Sequence, residues 1–186
     1  GMGAINGHNL ISGSAAGTSE GSNPKRNSNA ISYLLPQLGG VYGQLTHSFG
    51  EQADDHSLAS STGLRLGYAN GPLNVAAAYG IARGGTAAAG VDYKTMNLGA
   101  SYNFGSFVLN GGYNSLKWKP VSGATSGKVD GFYLGATIPV GPGSFRVKYA
   151  SAKFSGNATA LTRSGGKTDK YSIGYVYDFS KRTSMY

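Results

Sequence analysis

The stretch STGLRLGYANGPLNVAAAYGIA, Ser61 to Ala82, decides the fold. In its first half Leu64, Leu66 and Tyr68 alternate with Gly63, Arg65 and Gly67. In its second half Leu73, Val75, Ala77, Tyr79 and Ile81 alternate with Asn74, Ala76, Ala78 and Gly80. Successive side chains of a strand point to opposite faces, so each half is a strand with one apolar face and one small or polar face. Asn70-Gly71-Pro72 reverses the chain between them, and Asn-Gly between two alternating runs signals a hairpin. The unit is a long antiparallel hairpin that carries Arg65 on the face opposite its leucines.

The unit recurs. Leu66-Gly67, Leu98-Gly99, Leu134-Gly135 and Ile173-Gly174 each precede a tight turn, 32, 36 and 39 residues apart, which suits one hairpin and one loop per repeat. A helical solenoid could share the period but not the alternation, and Gly, 31 of 186 residues, is too frequent for helices. Further strands follow from the same phase. Ile31, Tyr33 and Leu35 alternate in a strand over Asn29 to Leu35 that Pro36 ends. Val41 to Phe49 is a second strand. Met96, Leu98, Ala100, Tyr102 and Phe104 mark one from about Asp92, and Phe107, Leu109, Gly111 and Tyr113 the next. Phe132, Leu134, Ala136 and Ile138 are followed by Phe145, Val147 and Tyr149, and Tyr171, Ile173, Tyr175, Tyr177 and Phe179 form an aromatic stripe. Thr183 to Tyr186 begins a tenth strand.

The connections alternate in length. Those near 36–40, 70–72, 105–106, 141–143 and 180–182 are short; those near 50–60, 83–91, 119–129 and 155–168 are long. Short turns at one end and long loops at the other describe an up-and-down transmembrane β-barrel. Strands of about ten residues cross a bilayer when tilted, whereas soluble sandwiches favour five or six. The expected class is therefore an all-β antiparallel meander of about nine to ten strands, a porin-like barrel or part of one. Its apolar phase faces lipid. The interfacial girdle is expected from Tyr33, Phe49, Tyr68, Tyr79, Tyr102, Phe104, Phe107, Tyr149, Tyr171, Tyr177 and Phe179. The opposite phase is rich in Gly, Ser, Thr and Asn in a chain that is only 13% charged, and is read as facing channel water.

Composition narrows the function. No cysteine is present, which removes disulfides, thiolate catalysis and Cys-ligated metal. No apolar run is long enough for a transmembrane helix, and the first residues form no secretory signal. Gly1 ahead of Met2 reads as a residue left by an expression tag. Lys and Arg number 16 against 8 Asp and Glu, a net charge of +8. Nucleic-acid binding would cluster these cations with stacking aromatics, but they are scattered through many strands. Arg65, Arg146 and Lys148 share the water-facing phase. Arg26 joins them if the first strand extends backwards, and Lys170 does so nearer a loop. Such a wall concentrates anions; the bland reading is a set of solvated charges on a polar face.

Other candidates are weaker. His8, His47 and His56 are scattered, and the Asp54-Asp55-His56 cluster reads as a solvated loop rather than a metal site. Ala82-Arg83-Gly84-Gly85 lacks the Lys-Ser/Thr of a phosphate loop, and no nucleophile stands at an elbow. No cofactor, metal site or catalytic site is expected.

Four strings carry a family resemblance: NSNAISYLLPQLGGVYGQ (Asn27 to Gln44), RLGYANGPLNVAAAYG (Arg65 to Gly80), YKTMNLGASYNFG (Tyr93 to Gly105) and IGYVYDFSKRTSMY (Ile173 to Tyr186). Through them the chain resembles the general porins of the Gram-negative outer membrane, the trimeric sixteen-stranded type of the β-proteobacteria, over nearly everything after residue 25. The resemblance implies passive diffusion of small hydrophilic solutes, anionic or neutral, through a homotrimer embedded in outer-membrane lipid. It also implies that residues 1–26 are a tail resembling the end of the pore-constriction loop and that residues 27–186 are barrel, corresponding to the sixth through fifteenth strands. The early strands, most of the constriction loop and the last strand are then missing. Such a piece closes as a smaller barrel, associates through its edges, or is the product of a truncated reading frame. Two other classes stay open. One is a small soluble β-barrel holding an apolar ligand, which would place the Leu/Tyr/Phe phase inside. The other is a structural, non-conducting fragment.

Overall fold

The computed structural model describes residues 29–50, 60–86, 89–121, 126–156, 166–180 and 182–185. They form ten strands: β1 (Ala30–Leu38), β2 (Val41–Ser48), β3 (Ser61–Asn70), β4 (Leu73–Thr86), β5 (Ala89–Asn103), β6 (Val108–Pro120), β7 (Gly127–Val140), β8 (Gly143–Gly156), β9 (Gly166–Ser180) and β10 (Thr183–Met185). They lie in one antiparallel sheet in chain order. Among the described residues β1 and β10 each pair on one side only, so the sheet is open.

Register puts the alternating residues on two continuous faces. Tyr33, Leu45, Leu64, Tyr79 and Met96 are successive cross-strand partners on one face. Gln44, Arg65, Ala78, Asn97 and Asn114 form a row on the other. A one-residue slip would exchange the faces of a strand, so the alternation itself holds the register. Carbonyls at the tight turns extend the ladder to the next strand over: Ala69 N–H donates to Gly40 O (2.8 Å), and Asn103 N–H to Pro72 O (2.9 Å).

The apolar face is not a core. Val129, Ala150 and Ala152 are the buried hydrophobic residues among those described, all three on the Arg65 face. Leu66, Leu98, Leu134 and Ile173 are 44%, 47%, 53% and 79% exposed. The apolar phase therefore has no common dry interior among the described residues, which is what a ligand-holding soluble barrel would require.

Three details differ from the sequence expectation. Pro36 does not end the first strand. It lies inside β1 at a register irregularity between Leu35 and Leu38, on a sheet edge, where a missing N–H interrupts no central ladder. The segment 83–91, expected as a long loop, is mostly strand, with β4 and β5 paired out to Thr86 and Ala89. Gly84, Gly85 and Gly90 mask the alternation there, and the Tyr93 ring covers Gly84, where a Cβ would come within 3.2 Å of it. The third detail is the reversal after Asn70. Asn70 pairs with Leu73, so the two loop residues are Gly71-Pro72, not Asn-Gly. Gly71 has φ +54° and Pro is fixed at negative φ, the Gly-first pattern of a type II′ turn. Gly141-Pro142 repeats it between β7 and β8, with Gly141 at φ +58°.

Open space surrounds Gly71, so a side chain there meets only the backbone cost of a left-handed conformation. Gly71→Val is expected to destabilise the protein by about 1–2 kcal/mol. Urea titration of the vesicle-inserted protein measures this; an unchanged midpoint would show that the turn tolerates L-residues.

Candidate functional site

Charge is divided between the two faces in a way that assigns each its medium. On the leucine face, outward positions carry no Asp, Glu, Lys or Arg across Leu73–Ile81, Met96–Phe104, Phe132–Val140 and Tyr171–Phe179. Each span is nine residues long, close to the roughly 9–11 a tilted strand needs to cross the hydrocarbon. All described charges of this face lie beyond that band, on the side of the longer loops: Arg83, Asp92, Lys94, Lys117, Lys119, Lys128, Asp130, Lys153, Lys167 and Asp169.

Aromatic residues stand at both margins of the band. At the short-turn margin Tyr102, Phe104 and Phe107 are in ring contact, with centroids 4.6 and 4.7 Å apart, and Tyr68, Tyr177 and Phe179 stand at the same margin on β3 and β9. At the other margin are Tyr33, Phe49, Tyr79, Tyr149 and Tyr171. His47 is on this face too, edge-on to Phe49 at 4.7 Å and hydrogen-bonded to the Thr62 hydroxyl at 2.8 Å. The structure adds members that the sequence list lacks. Phe145 contacts Tyr175 at 4.7 Å, Phe132 contacts Tyr149 at 5.7 Å, and Tyr175 donates to the Val140 carbonyl (2.9 Å). Just above the band a Tyr–Asp–Lys arrangement occurs twice. Tyr113 donates to Asp130 (2.6 Å), which pairs with Lys128 (2.6 Å); Tyr149 donates to Asp169 (2.7 Å), which pairs with Lys167 (3.2 Å). Hydrogen bonds from Tyr149 and Ser151, then the Lys167 ammonium, hold the Asp169 carboxyl below the ordinary carboxylate range.

The opposite face carries Arg65, Arg146, Lys148 and Lys170, with Asp178 the one described acid, close to a short turn. Arg146 lies between Thr137 and Gly174, and Lys148 between Gly135 and Ser172, diagonal to Lys170. Arg26 lies outside the described residues, as do His8 and the Asp54-Asp55-His56 cluster. The sequence reading missed two aromatic partners of these cations. The Arg65 guanidinium sits 5.7 Å from the Tyr42 ring centroid, and Lys148 Nζ sits 4.5 Å from that of Tyr133. Both rings lie over a glycine of the neighbouring strand, Tyr42 over Gly67 and Tyr133 over Gly112. Tyr42 is fixed further by donating to Asn74 Oδ1 at 2.7 Å. The tyrosines support the cations without neutralising them, which a carboxylate would do.

Gly112 is the sharper test of this support. A Cβ there would lie 2.6 Å from the Tyr133 ring and 2.7 Å from the Leu98 carbonyl oxygen, which belongs to the backbone and cannot swing away. Gly112→Val is expected to cost about 1–3 kcal/mol through overpacking and to dislodge Tyr133 from beneath Lys148. Urea titration reads the first effect, and protection of Lys148 from amine-specific labelling reads the second.

This is the architecture of a transmembrane β-sheet with a lipid face and a water face, the class to which porin walls belong. The profile of the Gram-negative porin family matches residues 1–186, and the chain belongs to that family. It is 36% identical over 178 residues to outer membrane porin protein 32 of Delftia acidovorans, covering 92% of this chain and 48% of that protein. It is 29% identical over 206 residues to an outer membrane porin protein of Bordetella pertussis, covering 88% of this chain and 51% of that protein. Among solved structures it is similar to the anion-selective porin from Comamonas acidovorans, with TM-score 0.77, 31% identity, and coverage of 92% of this chain and 50% of that one. The trimer form of OmpT from Vibrio cholerae shares the fold at TM-score 0.65 and 16% identity. The chain spans about half the length of the curated relatives it matches.

Proposed function

We propose that this chain forms part of the wall of a water-filled diffusion channel in the Gram-negative outer membrane. The channel passes small hydrophilic solutes and prefers anions. It is not an enzyme, and it works as a homotrimer. The observation that carries the reading is the division of charge among the described residues: a charge-free outward band of membrane-crossing length backs a face with four basic side chains and one acidic. Fixed cations on a low-dielectric wall raise the local anion concentration. Arg65, Arg146, Lys148 and Lys170 line the channel in this reading, and Arg26, from the 1–26 segment assigned to the tail of the constriction loop, joins them. The outward tyrosines and phenylalanines anchor the two interfaces. The names of the relatives and the anion selectivity of the Comamonas porin support the same assignment.

The test is the reversal potential of the whole porin containing this segment, in a planar bilayer under a KCl gradient. Chloride preference is expected; potassium preference overturns the reading. The one-sided pairing of β1 and β10 favours a second reading for the 186 residues alone, as a piece that pairs through its edges without conducting. Discrete conductance steps from the purified chain would exclude it.

A further inference from the structure

The water face has an uncharged sector. Across β4, β5, β6 and β7 no described residue of that face is Asp, Glu, Lys or Arg. The described cations of the face stand to either side, Arg65 on β3 and Arg146, Lys148 and Lys170 on β8 and β9. The sector carries amides and aromatic rings instead.

Tyr93 and Trp118 are cross-strand partners near the long-loop end of β5 and β6. Tyr93 is exposed and Trp118 half-buried. The rings lean apart, each over a glycine of a neighbouring strand. Tyr93 lies against Gly84 of β4. Trp118 lies over Gly127 of β7, where a Cβ would collide with three atoms of its six-membered ring. Tyr42 and Tyr133 each meet a cation, but among the described residues Tyr93 and Trp118 meet neither a cation nor another ring. A pair of uncommitted rings on a water-facing wall suits a ligand with an apolar face.

Farther along the same two strands, past Thr95 and Leu116, Asn97 and Asn114 are cross-strand partners in turn. They lie about 13 Å from the ring pair at ~3.3 Å per residue. Each amide offers two N–H donors and a carbonyl acceptor. Among the described residues neither side chain makes a hydrogen bond. Gly131 leaves room for the second amide, since a Cβ there would come within 2.8 Å of Asn114 Oδ1. A pyranose matches both features. Its C–H face is attracted by the electron-rich face of an aromatic ring, and the hydroxyls at its edge donate and accept. A charged solute would be met better by the basic strands to either side.

We infer that the β5–β6 wall holds a subsite for a neutral sugar, with one pyranose ring stacked at Tyr93 and Trp118 and a second, linked ring hydrogen-bonded to Asn97 and Asn114. The inference rests on the channel reading above, because it needs this face to meet water. It adds to that reading a class of uncharged solute and a place on the wall where it pauses.

The test is a titration of the folded 186-residue chain with maltose, in a detergent without a sugar headgroup. Trp118 is the one tryptophan in the sequence, so its emission reports on the subsite directly. A saturable change in emission is expected from the unmutated chain, which requires no variant to fold. Tyr93→Ala, and separately Asn97→Ala/Asn114→Ala, should raise the half-saturating concentration by about fivefold. Tyr93→Phe, which keeps the ring, should leave it unchanged, as should Lys148→Gln. Raising KCl from about 0.1 M to about 1 M should also leave it unchanged, because no ion pair is involved. No saturable change with maltose, equal affinity in Tyr93→Ala, weakening by Lys148→Gln, or binding that salt abolishes overturns the subsite. A response to benzoate, a planar anion, that maltose does not share assigns the rings to anions and overturns it too. The reversal potential of the whole porin is scored separately. Chloride preference without a maltose response refutes the sugar subsite alone; potassium preference refutes the channel reading beneath it.

Discussion

Leu98→Arg is expected to abolish stable insertion into bilayers, whereas Asn97→Arg, one residue away, leaves insertion intact. Leu98 lies within the charge-free span Met96–Phe104, 47% exposed, flanked in register by Tyr113 and by Ala77, the middle residue of the span Leu73–Ile81. A guanidinium there faces hydrocarbon, at roughly 2–4 kcal/mol for Arg near the bilayer midplane of a β-barrel. Asn97 points the other way, between Ala78 and Asn114 and in the row that already carries Arg65. A second arginine in that row stays in water. The measurement is urea titration of each variant in phosphatidylcholine vesicles, followed through Trp118 fluorescence. Equal midpoints for the two would refute the assignment of the faces, since the two arginines are adjacent in sequence and point to opposite faces.

Reversing the charge at Arg65, Arg146 and Lys148 together to Glu is expected to reverse the ion preference of the assembled channel. Among the described residues, four basic and one acidic side chain on the water face become one basic and four acidic. At ~8 Å each unit charge acts on a passing ion with about 0.5 kcal/mol in the dielectric of water. Physiological salt screens that to roughly a third. Six units of change then move each ion's energy by about 1 kcal/mol, in opposite directions for chloride and potassium. That is a severalfold change in each permeability and enough to change the sign of the reversal potential. The effect should shrink toward zero at 1 M salt, where the screening length is about 3 Å. A reversal potential indifferent to the triple substitution would mean that these side chains are solvated bystanders.

Much of this molecule is legible from alternation alone. The phase of Leu64, Leu66 and Tyr68 against Arg65 names both faces before any partner strand is known, because a strand side chain has only two directions available. Strand order follows almost as directly, since short connections force neighbours in sequence to be neighbours in the sheet. Reading failed where the residues carry no phase. The Gly- and Ala-rich segment 83–91 has no contrast between faces, and its pairing out to Thr86 and Ala89 is a property of the ladder. Pro36 looks like a terminator until the strand is known to be an edge with a register irregularity.

The sequence by itself determined that the chain is a meander, which side chains share a face, and that the greasy face is too continuous and too free of charge for an ordinary soluble surface. Only the tertiary structure decided which cations meet which rings and which lysines meet one another. Tyr42 reaches Arg65, Tyr133 reaches Lys148, and Lys94, Lys117 and Lys128 fall into one row through register between separate strands. Alternation specifies register only to the nearest even step, because a slip of two residues preserves every face while changing every partner. The turns, the register irregularity in β1 and the rings seated on glycines select among those steps, and they act across the sheet rather than along the chain.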